Sequence, residues 1–430
     1  MNYAQSLEYL ASLNQFGMNF GLVRIEKLLE LMQHPERRFK SIHITGSNGK
    51  GSTAAMLAAI LSESGIRTGL YTSPHLEDYP ERMTINGAQI TRAEFANAIH
   101  YTKQFVDQML LTGHEQPTEF EIITAAAFYY FAAHGAEYVV VEAGLGGLLD
   151  STNVVLPQIA VITNVVLEHT DRCGDTVEEI AAHKAGIIKK NIPVVTAAKG
   201  AALDVIRAKA RETESEIFVY QEHFSGRFHD TPKGERQKIS VTSQKFGAID
   251  AELNLFGLHQ LENCSVAVAT ALRLSVAEKS ITPETIAAAL KIVTWPGRFE
   301  IAPGQPLIII DGAHNPDGAR VLRENLDHYF PNQPIVFALG ILRDKDIEGI
   351  ASILIRPADK VVTIKSTYYR AATAEEIAER IAKFPSSIEA APSIAAGVAR
   401  AKEIAGLDGI VCIAGSLYQL GDARAAVYKK

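Results

Sequence analysis

The segment Ser41–Thr53, SIHITGSNGKGST, combines glycines, a lysine and hydroxyl residues in a pattern that can bind phosphate. A short apolar run leads into a glycine-rich turn around Lys50, and a stretch typical of a helix follows. Such a turn presents backbone N–H groups and the positive end of a helix to an anion. The spacing departs from the general phosphate-loop pattern twice, because Ile44 replaces the first glycine and Gly51 separates Lys50 from Ser52. The segment therefore predicts a variant phosphate loop rather than a solvated loop lysine.

Three further polar side chains follow the next apolar runs of the chain. Ser73 comes after GLYT, Glu142 ends YVVVE, and His169 lies a few residues after IAVIT. The carboxyl ends of parallel strands meet at one edge of a sheet, where ligands bind. A hydroxyl, a carboxylate and an imidazole beside a phosphate loop predict a site for a Mg²⁺-nucleotide. Each of the three alone also fits an ordinary turn, strand end or loop, so the prediction rests on their joint placement.

A second group of polar residues surrounds the apolar run PLIII. Arg298 precedes this run in PGRFE, Asp311 ends it, and His314 follows in DGAHNPDGAR. A carboxylate at the end of a buried strand, followed by Gly, His and Asn, indicates a turn that faces a ligand. The alternative is an Asx-type helix cap, which fits Asn315 better than His314. Ser416 follows the last apolar run of the chain and is a candidate by the same logic.

The elements that must position these residues alternate between β-branched apolar runs and helical patterns, as in parallel sheets covered by helices. Helices are predicted at Ser52–Glu63 and Gln260–Leu274. The more polar stretch from Ile217 to Ala251 predicts short antiparallel strands or a surface insertion. The predicted strands are Ile42–Thr45, Gly69–Thr72, Tyr138–Glu142, Ile159–Thr163, Pro193–Thr196, Leu307–Asp311, Ile335–Leu339, Lys360–Ile364 and Ile410–Ala414.

The pattern predicts an α/β protein of two domains. The first is a phosphate-loop ATPase domain with a central, mostly parallel sheet, and the second is a smaller, Rossmann-like α/β domain. The segment TWPGRFE at Thr294–Glu300 contains Pro, Gly and the single tryptophan, which favours a junction. The predicted domains are therefore residues 1–296 and 297–430.

Composition limits the classes of partner. The chain has 430 residues, of which 47% are apolar and 21% charged, with a net charge of −7. This balance argues against a general nucleic-acid binder, which needs a basic face. The three cysteines are far apart and fit buried thiols in a reducing compartment. No apolar run has the ~18 residues of a membrane span, so we expect a cytoplasmic protein that binds neither nucleic acid nor membrane.

Nine motifs, in order along the chain, resemble the folylpolyglutamate synthase/dihydrofolate synthase family of the Mur-ligase superfamily. They include HITGSNGKGST, VVVEAGLGG, GLHQLEN, WPGRFE, DGAHNP and GSLY, and the resemblance runs from near the start to near the end of the chain. It implies an ATP-dependent ligase, expected as a monomer, that uses Mg²⁺, with two ions expected. A folate or dihydropteroate carboxylate would be phosphorylated by ATP, and the amine of L-glutamate would then displace phosphate.

The resemblance also implies roles for individual residues. Lys50, Lys184 and His314 would be catalytic, and Lys184 would be carbamylated to bind the second magnesium. The ATP site would contain Gly46, Ser47, Asn48, Gly49, Lys50, Gly51, Ser52, Asn263, Arg298 and Asp311. The metal ligands would be Ser73, Glu142, His169 and carbamylated Lys184, and the folate and glutamate side would contain Arg82, Leu148, His314 and Ser416.

Two residues depart from the family pattern. Leu148 stands where the family usually has arginine, and His183 stands where it usually has glutamate before the lysine. We expect the first to affect the substrate pocket and the second to affect metal binding or lysine modification. Two alternatives therefore remain: a Mur-superfamily amino-acid ligase with a different carboxylate acceptor, and a nucleotide-binding protein that has lost catalysis.

Overall fold

The strands form three sheets in the computed structural model, which describes residues 1–13, 19–168, 170–230 and 236–428. In the eight-stranded sheet the strands are β1 Lys40–Thr45, β2 Thr68–Tyr71, β3 Met83–Ile85, β4 Ala88–Gln89, β5 Tyr138–Glu142, β6 Ile159–Ile162, β7 Val194–Thr196 and β8 Ile217–Val219. The three-stranded sheet contains β9 Phe224–Phe228, β10 Gln237–Ser243 and β11 Gly247–Leu253. The six-stranded sheet contains β12 Glu300–Ala302, β13 Leu307–Ile310, β14 Ile335–Leu339, β15 Lys360–Thr363, β16 Ser387–Ala390 and β17 Ile410–Ala414.

Helices cover the faces of these sheets. In the first part of the chain they are α1 Tyr3–Ser12, α2 Val23–Leu31, α3 Lys50–Glu63, α4 Arg92–Leu111, α5 Glu119–Ala133, α6 Thr170–Cys173, α7 Val177–Ala185, α8 Gly200–Glu212, α9 Gln260–Leu274 and α10 Pro283–Ile292. In the second part they are α11 Pro316–Tyr329, α12 Ile347–Leu354, α13 Ala374–Ile381, α14 Ile394–Ala405 and α15 Leu420–Tyr428. Among the described residues, no helix is both long enough and apolar enough to cross a membrane.

The eight-stranded sheet has the order β4-β3-β2-β5-β1-β6-β7-β8, and its pairs are parallel except β2 with β3 and β3 with β4 at one edge. Strand β1 lies at the centre, where Ile42 pairs with Val140 on one side and Ile159 on the other. Both faces of β1 and β5 are buried; β5 accordingly contains the apolar run YVVV, whereas β1 buries polar residues such as His43 between isoleucines. The predicted central, mostly parallel sheet is confirmed.

The segment from Ile217 onward divides between two sheets. Strands β9, β10 and β11 are antiparallel, as one of the two sequence interpretations predicts. The antiparallel prediction is wrong for β8, which pairs in parallel with β7 at the edge of the large sheet. Helix α8 supplies the crossover that a parallel pair requires. The three-stranded sheet packs against α9, where Ser265 lies close to the backbone of Gly226.

The six-stranded sheet has the order β12-β13-β17-β14-β15-β16, and its pairs are parallel except β12 with β13. The four predicted strands form its centre and begin or end within one residue of the expected bounds. The sequence interpretation missed the two edge strands. Strand β16, Ser387–Ala390, is largely exposed and has the sequence SIEA, so no apolar run marks it.

Candidate functional site

Two glycines give the phosphate loop its shape. Gly46 has φ +150° and Gly49 has φ +82°, values that side chains of other residues rarely permit. An added Cβ on Gly46 would lie 1.8 Å from Thr163 Oγ1, and one on Gly49 would lie 2.1 Å from Asn263 Oδ1. The loop therefore follows β1 with its backbone held tightly between the end of β6 and the start of α9.

Lys50 is the first residue of α3, and its ammonium lies over the loop. Its Nζ donates hydrogen bonds to the carbonyls of Gly46 at 2.8 Å and Ser47 at 3.0 Å. Burial raises the pKa of Glu142, and the positive charge of Lys50 opposes that rise. Burial lowers the pKa of Lys184, and the charge of Lys50 lowers it further. The phosphate loop, Glu142 and Lys184, which are far apart in the sequence, therefore meet at the carboxyl ends of β1 and β5.

Thr163 and Asn164, which the sequence interpretation did not assign to the site, fix the loop from the side of β6. The carbonyl of Asn164 accepts a hydrogen bond from the Ser47 N–H at 2.9 Å, and its Oδ1 accepts one from Asn48 N–H at 2.8 Å. Thr163 Oγ1 donates to the Asn48 carbonyl at 2.6 Å. Two polar residues directly after the buried strand IAVI were the available signal in the sequence.

Gly51, the second departure from the general phosphate-loop pattern, lies against the single tryptophan. An added Cβ there would lie 2.8 Å from Trp295 Cζ2 and 2.9 Å from its Nε1. Next to it, Ser52 is buried, and its Oγ accepts a hydrogen bond from Gln260 Nε2 at 3.3 Å. The inserted glycine thus allows the segment between α10 and β12, which carries Trp295, to pack on the start of α3.

Of the four predicted magnesium ligands, Glu142 and Ser73 are in direct contact. The Ser73 N–H donates to Glu142 Oε2 at 3.2 Å. Burial raises the pKa of Glu142 to about 7, although Lys50, this hydrogen bond and Arg298 oppose the shift. His169 lies outside the described residues, among which no group of three His, Cys, Asp or Glu side chains could hold a metal ion. The buried carboxylate near a hydroxyl residue fits a hard cation, and the magnesium site stays a prediction.

Lys184 is buried in α7, and its Nζ lies 3.2 Å from Glu168 Oε1. Burial lowers its pKa, and the charge of Lys50 lowers it further, while Glu168 opposes both. Carbamylation consumes the neutral amine, so a lowered pKa favours the modification. The carbamate itself stays a prediction.

The charge of Arg298 acts on carboxyl groups of both the eight-stranded and the six-stranded sheet. Burial raises the pKa of Glu142 after β5 and that of Asp311 after β13, and the positive charge of Arg298 opposes the rise at both carboxyl groups. An added Cβ on Gly312 would lie 2.6 Å from Arg298 Nη1. Asp311 itself accepts hydrogen bonds from the Phe299 and Ala313 N–H groups, both at 2.8 Å. Asp311 therefore positions the segment that carries Arg298, and its contact with ATP stays a prediction.

His314 and Ser416 lie at the carboxyl ends of β13 and β17. His314 Nδ1 is 2.8 Å from the Gly312 carbonyl, so Nδ1 carries the proton and Nε2 is left as an acceptor. Burial lowers the pKa of His314 to about 4, which keeps the ring neutral near pH 7. Ser416 is buried, and its Oγ accepts a hydrogen bond from the Tyr418 N–H at 3.3 Å. Their roles toward glutamate stay predictions.

Comparison with known proteins identifies the family. The Mur ligase middle domain matches residues 44–271, and the Mur ligase glutamate ligase domain matches residues 297–417. The dihydrofolate synthase/folylpolyglutamate synthase of Bacillus subtilis is 34% identical over 98% of this chain and 98% of its own length. The folylpolyglutamate synthase of Lacticaseibacillus casei is 37% identical over 86% of this chain and 85% of its own.

The chain belongs to the folylpolyglutamate synthase/dihydrofolate synthase family of Mur ligases. A solved structure of Mycobacterium tuberculosis folylpolyglutamate synthase, complexed with ADP and AMPPCP, superposes with a TM-score of 0.89 at 30% identity and covers 100% of both chains.

In this Mur ligase, Arg82 forms a cluster with His75 and Tyr79. Its Nε donates to His75 Nδ1 at 2.9 Å, and its guanidinium lies 5.2 Å from the centre of the Tyr79 ring. Burial lowers the pKa of His75 to about 3, and Arg82 lowers it further. The neutral imidazole orients Arg82, which is consistent with the predicted contact to a substrate carboxylate.

The two departures from the family pattern are neighbours in space. The Leu148 N–H donates to the carbonyl of His183 at 2.8 Å, and 46% of the Leu148 side chain is exposed. His183 Nδ1 is buried and has no hydrogen-bond partner among the described residues. Because His183 precedes Lys184 in α7 and Leu148 packs against Gly186 at the end of that helix, the two departures form one local change rather than two.

Proposed function

We propose that the protein joins the carboxylate of a folate or dihydropteroate to the amine of L-glutamate, with ATP as phosphoryl donor. The family to which it belongs consists of ATP-dependent glutamate ligases. The observation that carries the proposal is the position of Arg298. Its guanidinium lies close to Gly312, near His314 in the chain, and its charge acts on Glu142 beside the phosphate loop; this supports adjacent sites for phosphate and glutamate.

The proposed chemistry has two steps. An oxygen of the acceptor carboxylate attacks the γ-phosphorus of ATP, the bond to the β,γ-bridging oxygen breaks, and ADP leaves. The glutamate nitrogen then attacks the acyl carbon and loses a proton, and phosphate leaves with the carbon–oxygen bond electrons. Phosphorylation is required because an unactivated carboxylate has no adequate leaving group.

The residues of this chain bind and orient the reactants. Backbone N–H groups of the phosphate loop and the ammonium of Lys50 balance the charge of the phosphates. Arg298 supplies a second positive group on the side of the second sheet. His314 offers the neutral Nε2 as a hydrogen-bond acceptor for an N–H of L-glutamate, whose nitrogen attacks as the neutral amine. Magnesium, held by Glu142 and Ser73, would neutralise charge on the phosphate oxygens.

The direct test is a coupled assay with purified protein, Mg²⁺, ATP and L-glutamate. Dihydropteroate and a reduced folate are offered separately, and both ADP release and the mass of the product are followed. We expect ADP formation that depends on an acceptor, and a product heavier by one glutamyl residue. Assays without L-glutamate and without acceptor serve as controls.

The outcomes separate the alternatives. A ligase for a different carboxylate acceptor would form no product with dihydropteroate or the reduced folate. It would form ADP only when its own acceptor is supplied. A nucleotide-binding protein without catalysis would bind AMPPCP and release no ADP. The same assay shows which of the two acceptors is preferred. The monomeric state and the cytoplasmic location stay predictions.

A further inference from the structure

Arg370 lies beside the residues that the proposed function assigns to glutamate. In the six-stranded sheet, β13, β17, β14 and β15 are consecutive parallel neighbours, so the loops after them share one edge. These loops carry His314, Ser416, Asp344 and Arg370 in that spatial order. Ligands of open parallel sheets bind at this edge. Sequence reasoning gave Arg370 no role, since no motif marks it.

Two stacked tyrosines support this arginine. The rings of Tyr368 and Tyr418 lie 4.0 Å apart with an angle of 6° between their planes. The Arg370 guanidinium lies 5.1 Å from the centre of the Tyr368 ring. Ser366 Oγ donates to the Tyr418 carbonyl at 3.3 Å and accepts from the Tyr368 N–H at the same distance. The same Tyr418 donates its N–H to Ser416, so the tyrosine pair is connected to the glutamate side of the site.

The guanidinium of Arg370 is oriented but not saturated. Its Nη1 donates to Asp344 Oδ2 at 2.8 Å, and its Nη2 lies 3.4 Å from the Tyr368 hydroxyl. Its Nε is buried and has no hydrogen-bond partner within the described ranges. A guanidinium has five N–H donors. The side chain is 37% exposed, so donors remain for a ligand.

The backbone of this loop is fixed as well. The Arg370 carbonyl accepts a hydrogen bond from the Arg343 N–H at 2.8 Å, and Leu342 forms a β-bridge with Ala371. An arginine that only paired with a surface carboxylate would need neither these bonds nor a stacked ring pair. The arrangement instead resembles a preorganised receptor for a planar anion, because guanidinium and carboxylate can form two parallel hydrogen bonds.

We propose that Arg370, supported by Tyr368 and Tyr418, binds a carboxylate of the incoming L-glutamate. This inference rests on the proposed function, which makes L-glutamate the second substrate. Arg370 acts by holding the amino acid, while Tyr368 and Tyr418 are positioning residues. The amide forms from the carboxylate of the folate or dihydropteroate and the amine of L-glutamate. Both carboxylates of L-glutamate therefore stay free, and Arg370 holds one of them.

The kinetic test compares Arg370→Gln with the wild-type enzyme. We expect the KM for L-glutamate to rise about ten- to a hundredfold, the size of a lost charge-assisted hydrogen bond, while the KM for ATP stays unchanged. Arg343→Gln is the matched control, because Arg343 is a neighbouring arginine that is paired with Glu376 on the surface. It should retain the wild-type KM. An unchanged KM in Arg370→Gln would overturn the proposal.

Analogues of glutamate identify the carboxylate. The wild-type enzyme should discriminate against 4-aminobutyrate, which lacks the α-carboxylate, and against L-2-aminobutyrate, which lacks the γ-carboxylate. In Arg370→Gln the discrimination against one of them should collapse, and Arg370→Lys should restore charge without the paired hydrogen bonds. If both discriminations persist in Arg370→Gln, Arg370 does not bind L-glutamate.

Binding separates this inference from the proposed function. L-Glutamate is titrated calorimetrically into protein saturated with AMPPCP, and thermal melting confirms that each variant is folded. Binding to the wild type that is lost in Arg370→Gln supports the site even if neither folate is glutamylated. Equal binding to both proteins overturns the site even if the ligase activity is present.

Discussion

At the scale of residues, the charge of Lys50 is the feature on which the phosphate site depends. Its ammonium touches two loop carbonyls and acts on Glu142 and Lys184. We predict that Lys50→Ala lowers turnover by roughly 10²–10³-fold or more, as expected when a preorganised charge at a phosphoryl group is removed. ADP release measures turnover, and circular dichroism checks folding. Lys103→Ala, which removes an exposed lysine paired with Asp107, should retain full activity; equal turnover in both variants would contradict the assignment.

A second prediction at this scale concerns Lys184. Its lowered pKa provides neutral amine, so ¹³C-bicarbonate should give a carbamate signal in the NMR spectrum, stronger as pH rises because deprotonation of the amine precedes the reaction. Lys184→Arg should lose the signal. Lys189→Ala is the control, since burial also lowers the pKa of Lys189. A signal that survives in Lys184→Arg, or none at saturating bicarbonate, would exclude the modification of Lys184.

Individual side chains were predictable from the sequence only where they stand in a patterned segment. Glu142 ends an apolar strand, and Lys50 stands in the glycine-rich turn that leads from β1 into α3, so their positions were expected. Asn164 was missed because its role depends on β6 lying beside β1, a pairing that no local pattern reveals. Arg370 was missed for the same reason, since it packs on Tyr368, whose ring stacks on Tyr418 of another loop.

At the scale of elements, the segment between α10 and β12 packs on the start of α3. Trp295 lies on Gly51, next to the phosphate loop. We predict that Mg²⁺-AMPPCP changes the tryptophan emission, because Trp295 is the single tryptophan of the chain and nucleotide binding reorganises its surroundings. A fluorescence titration measures the change.

Two variants test this contact. Trp295→Phe should abolish the signal and serves as the control. Gly51→Ala should weaken nucleotide binding, since its Cβ would lie too close to the indole. Wild-type affinity in Gly51→Ala, measured by calorimetry, would show that the indole yields without cost.

Whether an element was predictable depended on its burial. Central strands such as β14 and β17 are covered on both faces, and their sequences are unbroken apolar runs. Strands β12 and β16 lie at the edges of the six-stranded sheet, are three or four residues long, and have less apolar sequence. Their assignment depends on a neighbouring strand, and local sequence does not contain that information.

At the scale of the whole molecule, stability depends on pH through buried histidines. His43 on β1 is fully buried and hydrogen-bonded to Thr152, and burial lowers its pKa to about 3. Between about pH 6.5 and 3 the unfolded chain binds a proton at this residue and the folded chain does not. His43 therefore lowers the free energy of unfolding by about 1.4 kcal/mol for each pH unit of acidification in that window.

The measurement compares urea unfolding of the wild type and His43→Gln from pH 7 to pH 4.5. We expect wild-type stability to fall more steeply with acidification, and the difference between the two proteins isolates His43 from carboxyl groups such as Glu142, whose raised pKa acts in the opposite direction. Parallel pH profiles would mean that His43 ionises alike in both states.

The sequence by itself determined the class of fold, the phosphate loop and the family, because these depend on local order: apolar runs, glycine spacing and motifs that follow one another. Only the tertiary structure decided which loops meet. It placed Arg298 next to Gly312, Asn164 beside the phosphate loop, and Arg370 on the same sheet edge as His314 and Ser416. The physical reason is that strand order in a sheet differs from order in the chain, and a binding site forms from loops that are adjacent in the sheet.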